Sequence, residues 1–237
     1  MKIAFISDVH GNLEALTVAL DVLETYAPDE IICLGDVVGY GADPEECLEL
    51  LQNRCSLILM GNHDAAVIGR VDLTYFNDFA RAAILWTRSR LASRHKEIIA
   101  DFPMVIKQDD MHLVHSTPKN PEAWDYIFSV HDLYDQFPAV DGKICFVGHS
   151  HVPGDYKEPG DRLSPLERDS RSKRRIVNVG SVGQPRDRDP RLSCVLYDGD
   201  SEEVRFIRAE YDIETAAEKI RRAGLPPFLA ERLFAGW

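Results

Sequence analysis

No two of the five cysteines form a C-x-x-C pair, and their odd number argues against a disulfide framework. Cys33, Cys145 and Cys194 stand inside apolar, strand-like runs, where buried free thiols are expected. No apolar run reaches the about 18 residues that span a bilayer. The opening stretch, Met1 to Asp8, meets an acid too early for a secretory signal, which points to a cytoplasmic protein. Basic charge is scarce: 27 Lys and Arg against 39 Asp and Glu leave −12, which disfavours stable binding to nucleic acid or an acidic membrane. Also missing is a G-x-G-x-x-G after the first strand. Asp8-Val9-His10-Gly11-Asn12 stands there instead, which excludes a dinucleotide cradle. With no internal repeat and no linker-like stretch, one domain over residues 1–237 is expected.

What is present is an alternation of short apolar strands with helical segments. Lys2 to Ser7, Glu30 to Leu34 and Leu57 to Met60 read as buried strands. Between them lie a helix with Leu13, Leu16, Ala19, Leu20 and Leu23 on one face, and a helix opening at Asp43-Pro44-Glu45-Glu46. This βαβαβ order predicts a parallel sheet with helices on its faces. One long helix over Thr74 to Leu91 and a short one ending near Phe102-Pro103 follow. The second half is β-rich: a hairpin turning at Asp109-Asp110, strands at Ile144 to Val147, Arg175 to Val179, Leu192 to Asp198 and Glu203 to Glu210, and a short helix from His131 to Phe137. Asp212 caps a helix to Arg222, and the residues around Pro226-Pro227 read as a tail. Residues 159–174 have the composition of a surface insertion. The fold class is therefore α/β, with two sheets packed inside helical layers.

Polar residues collect where the strands end. Asp8, His10, Asp36, Asn62, His63, Asp64, His115, His149 and His151 all follow apolar runs, and ligands bind beyond the carboxyl ends of strands in such sheets. His95, His112 and His131 lie in helix or hairpin positions and read as structural or exposed. Imidazole, carboxylate and amide oxygen without thiolate suit Mn²⁺, with Fe, Zn, Ni or Co as further candidates. Even seven of these nine as ligands exceed what one ion with an open position needs. Two ions sharing a carboxylate, about 3.5–4 Å apart, fit better. Such a centre keeps a net positive charge and attracts an anionic phosphate.

D-x-H (Asp8, His10), G-D (Gly35, Asp36), G-N-H-D (Gly61 to Asp64), the lone His115 and G-H-x-H (Gly148 to His151), in that order, resemble the calcineurin-like metallophosphoesterase superfamily. The stretch Asn178 to Asp187 is similar to its small bacterial branch of YfcE-like and diadenosine-tetraphosphatase-related proteins. The resemblance implies a four-layer αββα sandwich of two mixed β-sheets flanked by helices. It implies that Asp8, His10 and His151 hold one metal, that Asn62, His115 and His149 hold the other, and that Asp36 bridges them. His63 would be the general acid, oriented by Asp64. The implied activity is hydrolysis of phosphodiesters or phosphomonoesters of a small, possibly nucleotide, substrate, by in-line attack of a metal-bridging hydroxide. A catalytically weak scaffold or interaction module on the same fold is the alternative.

Asn12 and Arg186 are the candidate substrate contacts. Between Lys157 and Arg191 ten basic residues face six acidic ones, against the trend of the chain. Gly180, Gly183 and Pro185 predict a tight loop that fixes Arg186 relative to the strand before it. Arg186 then either reaches a phosphate or pairs on the surface with Asp187 or Asp189.

Overall fold

The computed structural model describes residues 1–159 and 174–237. The insertion expected at 159–174 lies, but for its two ends, outside the described residues. In chain order the elements are β1 (Lys2–Ile6), α1 (Leu13–Glu24), β2 (Glu30–Cys33), α2 (Pro44–Arg54), β3 (Leu57–Ile58), α3 (Asn62–Val67), α4 (Asp78–Arg90), α5 (Ser93–Ala100), β4 (Val105–Gln108) and β5 (Met111–Val114). They continue with α6 (Val130–Gln136), β6 (Ile144–Val147), β7 (Gly154–Lys157), β8 (Arg175–Asn178), β9 (Leu192–Asp198), β10 (Glu203–Ala209), α7 (Ile213–Arg222) and α8 (Pro227–Ala235).

The strands form two mixed five-stranded sheets, in the orders β10-β9-β1-β2-β3 and β4-β5-β6-β8-β7. β1, β2 and β3 run parallel, as the βαβαβ pattern predicts. In the second sheet β5, β6 and β8 are parallel, with antiparallel β4 and β7 at its edges. Alternation along β1 sorts its side chains between two cores. Ile3 and Phe5 pack with Phe146 and Val177 of the facing sheet, and the rings of Phe5 and Phe146 stack at 4.0 Å. Ala4 and Ile6 face the other way, with Leu16, Leu20, Leu48, Ile84, Ile220 and Leu229 of the helices. Leu133 of α6 covers the outer face of the second sheet with Cys145, Val147 and Ile176. Four layers result, and they match the expected α/β sandwich.

Local chemistry explains where the sequence expectation failed. The single helix expected over Thr74 to Leu91 is broken. Asp72 accepts from Thr74 N and sets a 3₁₀ turn at Leu73–Tyr75, Phe76 is extended, and Asn77 accepts from Ala80 N to start α4 anew. The expected tail is the helix α8, with Pro227 at its first position and Gly236 closing it in the left-handed conformation. β7 was not foreseen; its half-exposed Gly154–Lys157 is an edge strand without a strong apolar pattern. β3 ends at Ile58, because Met60 N turns to donate to Pro103 O and Gly61 caps α3. The five cysteines are free, and all but half-buried Cys55 are buried.

The parallel strands of both sheets end at the same edge of the sandwich. Backbone bonds lock those ends together: Gly148 N donates to His115 O and Val182 N to Ser7 O. No helix among the described residues is long and apolar enough to cross a membrane.

Candidate metal centre

β1, β2 and β6 deliver their polar residues by the same device, a turn into left-handed backbone just past the strand. Asp8, His10, Asp36, His149 and His151 have φ between 51° and 64°. For residues with a Cβ that conformation costs about 1–2 kcal/mol each. Five such residues converging on one spot place strain where function gathers. At Gly61 the constraint is close approach: a Cβ there would collide with the Asp36 carboxylate.

These turns bring the predicted ligands together. Ligand atoms of Asp8, His10, Asp36 and His151 lie within 4.8 Å of one another, as do those of Asp36, His115 and His149. Asp36 belongs to both groups. Asn62 is buried at the N-terminus of α3, and its Oδ1 has no hydrogen-bond partner. It lines the same cavity as His149. All seven predicted ligands are buried.

The imidazoles show by their other nitrogens that they present lone pairs. A carbonyl can only accept, so the nitrogen facing it carries the proton. His10, His115 and His151 donate from Nδ1 to Val38 O (3.1 Å), Leu34 O (2.9 Å) and Gln184 O (2.6 Å). His149 donates from Nε2 to Trp124 O at 2.9 Å. The remaining nitrogen of each points inward as an acceptor, the arrangement that metal-ligating histidines use. The Nε2 atoms of His10 and His151 stand 3.1 Å apart with no proton to share. Asp8 Oδ1 and His115 Nε2 also have no hydrogen-bond partner. Buried acceptors facing acceptors are costly unless a cation lies between them. Electrostatics agree. Burial disfavours a charged His115, yet Asp36 at 3.4 Å and Asp8 at 3.9 Å outweigh it and the imidazole is pushed up to about 9, so in the absence of an ion the two carboxylates draw a proton onto Nε2, at the place where a cation would sit. Each donor group thus has the chemistry to hold a cation, and the two groups share Asp36.

His63 sits beside this cluster and outside both groups. Its ring lies 4.8 Å from that of His10 and 4.4 Å from that of Tyr40, and its Nδ1 has no hydrogen-bond partner. Burial pushes it down to about 4, so it is neutral at pH 7. Asp64 does not make the contact to His63 that the motif suggests. Its carboxylate accepts from Val37 N (3.3 Å), Val38 N (3.2 Å) and Gly61 N (3.1 Å), closing the turn on which His63 and the His10 partner Val38 stand. It is a positioning residue that acts through the backbone.

The two substrate candidates part company. Asn12 caps α1 through Oδ1, which accepts from Ala15 N at 3.1 Å, and donates from Nδ2 to Gly183 O at 2.9 Å. Both its polar atoms are spent and it is buried, so the substrate assignment is corrected to a structural one. Arg186 is free of the acids beside it. Asp187 pairs with Arg208 at 2.8 Å, and Asp189 with Arg191 at 2.7 Å. Arg186 instead donates to Gln184 Oε1 at 2.9 Å, reaches Tyr40 Oη at 3.5 Å, and lowers the proton affinity of His151 and His63. Of the histidines read as structural or exposed, His95 is buried between Glu45 and Glu49, His112 is buried, and His131 is exposed.

Sequence reading missed the wall beside the ligands. A cavity of about 750 Å³ adjoins His63, Asn62 and His149, with Tyr40, Phe76, Trp124 and Tyr126 around it. Tyr126 stacks on His149 at 4.0 Å, and Phe76 meets His63 edge-on at 5.3 Å. Tyr40, Trp124 and Tyr126 come from loops with no periodic signal, Phe76 from the break in the expected helix, and only folding brings them together.

Known proteins carry the same arrangement of chain. The family model described as the calcineurin-like phosphoesterase superfamily domain matches residues 1–202. MJ0912 of Methanocaldococcus jannaschii is 40% identical over 99% of this chain and 98% of its own length. A crystal structure of a metallophosphoesterase from Sphaerobacter thermophilus superposes with a TM-score of 0.85 at 40% identity, covering 100% of this chain and 99% of that one. The hypothetical protein PH1004 from Pyrococcus horikoshii shares the fold, with a TM-score of 0.83 at 22% identity over 100% of this chain and 98% of its own. Its ordered motifs, its two-sheet sandwich and these matches together make this chain a member of the calcineurin-like phosphoesterase superfamily.

Proposed function

We propose that this protein is a dinuclear metal-dependent phosphoesterase acting on small phosphorylated compounds, nucleotides among them. The observation that supports the reading is the membership of Asp36 in both donor groups, which would give two cations one shared carboxylate. Asp8, His10, Asp36 and His151 would hold one ion; Asp36, Asn62, His115 and His149 would hold the other. When bound, such ions lower the pKa of a water they share and neutralise phosphoryl oxygens during in-line displacement. Mn²⁺ is the first candidate, since the mixed nitrogen and oxygen donors suit it.

The chain's own groups supply the rest. The main-chain carbonyls of Val38, Leu34, Gln184 and Trp124 fix each imidazole in its ligating tautomer. His63 stands outside the ligand set, where an N–H can be given to the leaving oxygen. A phosphate dianion beside it offsets the burial that keeps it neutral, which favours the protonated form. Arg186 offers a planar fork of donors to a phosphoryl oxygen. The aromatic cavity beside Asn62 and His63 is large enough for a nucleoside, with ring faces to stack against.

The test is to strip the protein with a chelator and restore Mn²⁺ stepwise while following hydrolysis of bis(p-nitrophenyl) phosphate and p-nitrophenyl phosphate. Turnover should be absent in the stripped protein and saturate at two ions per chain. Failure of every transition ion to restore turnover on either ester contradicts the proposal.

A further inference from the structure

Beyond the ligand cluster, a second arginine approaches Tyr40 from a part of the chain with no share in the motifs. Arg232 lies on α8, and its guanidinium carbon stands 5.9 Å from the centre of the Tyr40 ring. That of Arg186 stands 5.8 Å from the same ring. Tyr40 in turn touches the metal-centre histidines, its ring 4.7 Å from that of His10 and 4.4 Å from that of His63. The order outward from the centre is therefore His10 and His63, then Tyr40, then the arginine pair.

Among the described residues no Asp or Glu side chain forms a salt bridge with Arg186 or Arg232, although the chain carries 39 acidic residues. Arg186 Nε is buried without a partner. Arg232 rests over Phe228 at 5.3 Å and donates from Nε to the main-chain oxygen of Trp237, and among the described residues its terminal nitrogens make no hydrogen bond. Burial, and then the charge of Arg186, press Arg232 down to about 10. Two half-buried like charges held together cost stability unless an anion repays them. Structural arginines elsewhere in the chain do find their acids: Arg208 with Asp187, and Arg175 with Asp155. Tyr40 and Tyr126, which feel the charge of this pair, also line the large cavity, so the pair stands beside the tyrosine wall of that cavity.

We propose that Arg186 and Arg232, gathered around Tyr40, form a second anion subsite that takes a phosphoryl group linked to the scissile phosphate. The preferred substrate then carries at least two linked phosphoryl groups. The inference rests on the phosphoesterase reading for the place of the scissile phosphate. Arg186 serves both groups and Arg232 only the outer one.

The test compares binding of AMP with that of α,β-methylene-ADP, whose bridging carbon resists cleavage, by calorimetry on the Mn²⁺-loaded protein at fixed free Mn²⁺. The analogue should bind at least about tenfold tighter than AMP, the scale of charge-assisted hydrogen bonds. Arg232→Gln should bring the ratio to within about twofold, Arg186→Gln should weaken both ligands, and Arg188→Gln should leave the ratio as in wild type. Should Arg232→Gln fail to fold, Arg232→Lys and a salt titration of the wild type replace it. The ratio should then fall in the lysine variant and shrink as ionic strength rises. Equal affinities in the wild type, a ratio unmoved by Arg232→Gln or Arg232→Lys, or one indifferent to salt overturns the subsite. A preserved ratio in a protein that hydrolyses no phosphate ester overturns the phosphoesterase reading alone. Hydrolysis without the preference overturns the subsite alone.

Discussion

Gly39 offers a way to disturb His63 without touching a ligand. Its φ is +93°, and a Cβ built there would lie 2.5 Å from His63 Nδ1 and 3.1 Å from Cγ. Ordinary contact needs about 3.5 Å, so in Gly39→Ala the imidazole must retreat by about 1 Å. A misplacement of that size can cost about 10²-fold in rate. The strained backbone adds about 1–3 kcal/mol of destabilisation, which in a chain of 237 residues lowers Tm by about 2–12 °C. Asp36 stands earlier in the same loop and Val38 O orients His10, so metal content is measured in parallel and should stay at two ions per chain. The assay compares kcat for an alkyl phosphodiester, whose leaving group needs a proton, with kcat for a nitrophenyl ester, whose leaving group hardly does. The alkyl ester should lose most of the about 10²-fold and the nitrophenyl ester far less. A variant with the expected drop in Tm but wild-type kcat on the alkyl ester would refute the link between His63 placement and turnover.

Two further substitutions probe neighbouring assignments. His63→Ala should keep its metal and lose about 10²–10⁴-fold in kcat on poor leaving groups, a loss that shrinks with nitrophenolate; equal losses on both esters would count against proton donation by His63. Asn12→Ala removes a helix cap and the bond to Gly183 O, so Tm should fall by several degrees while KM moves less than about twofold; a large rise in KM at unchanged Tm would return Asn12 to the substrate.

The sequence made the strand ends legible because short apolar runs and the polar residues that follow them are both local signals. Asp8, His10, Asp36, Asn62, His115, His149 and His151 could be grouped by fold logic alone, since parallel strands deliver their ends to one edge. The break at Phe76-Asn77 was harder to see, because Phe79, Ala80, Ala83 and Ile84 keep helical spacing past it. α8 hid behind Pro226-Pro227, although a proline can open a helix as well as end one. The misreadings of Asn12 and Asp64 share a cause. A polar side chain beside a motif looks available until its backbone partners are known, and Gly183 is 171 residues from Asn12. Arg232 and the carbonyls that orient the histidines are likewise long-range contacts with no sequence pattern of their own.

The proposed metal centre turns on one shared carboxylate. Asp36 is the member common to both donor groups, and its Oδ2 lies 3.6 Å from His10 Nε2 and 3.4 Å from His115 Nε2. Its Oδ1 also accepts from His63 N at 2.8 Å, a bond that an asparagine oxygen can keep. Elemental analysis of Asp36→Asn beside His10→Ala, after dialysis against limiting Mn²⁺, tests the centre directly. Asp36→Asn should lose metal from both positions, and His10→Ala chiefly from one. Two ions fully retained in a folded Asp36→Asn would contradict the bridged centre.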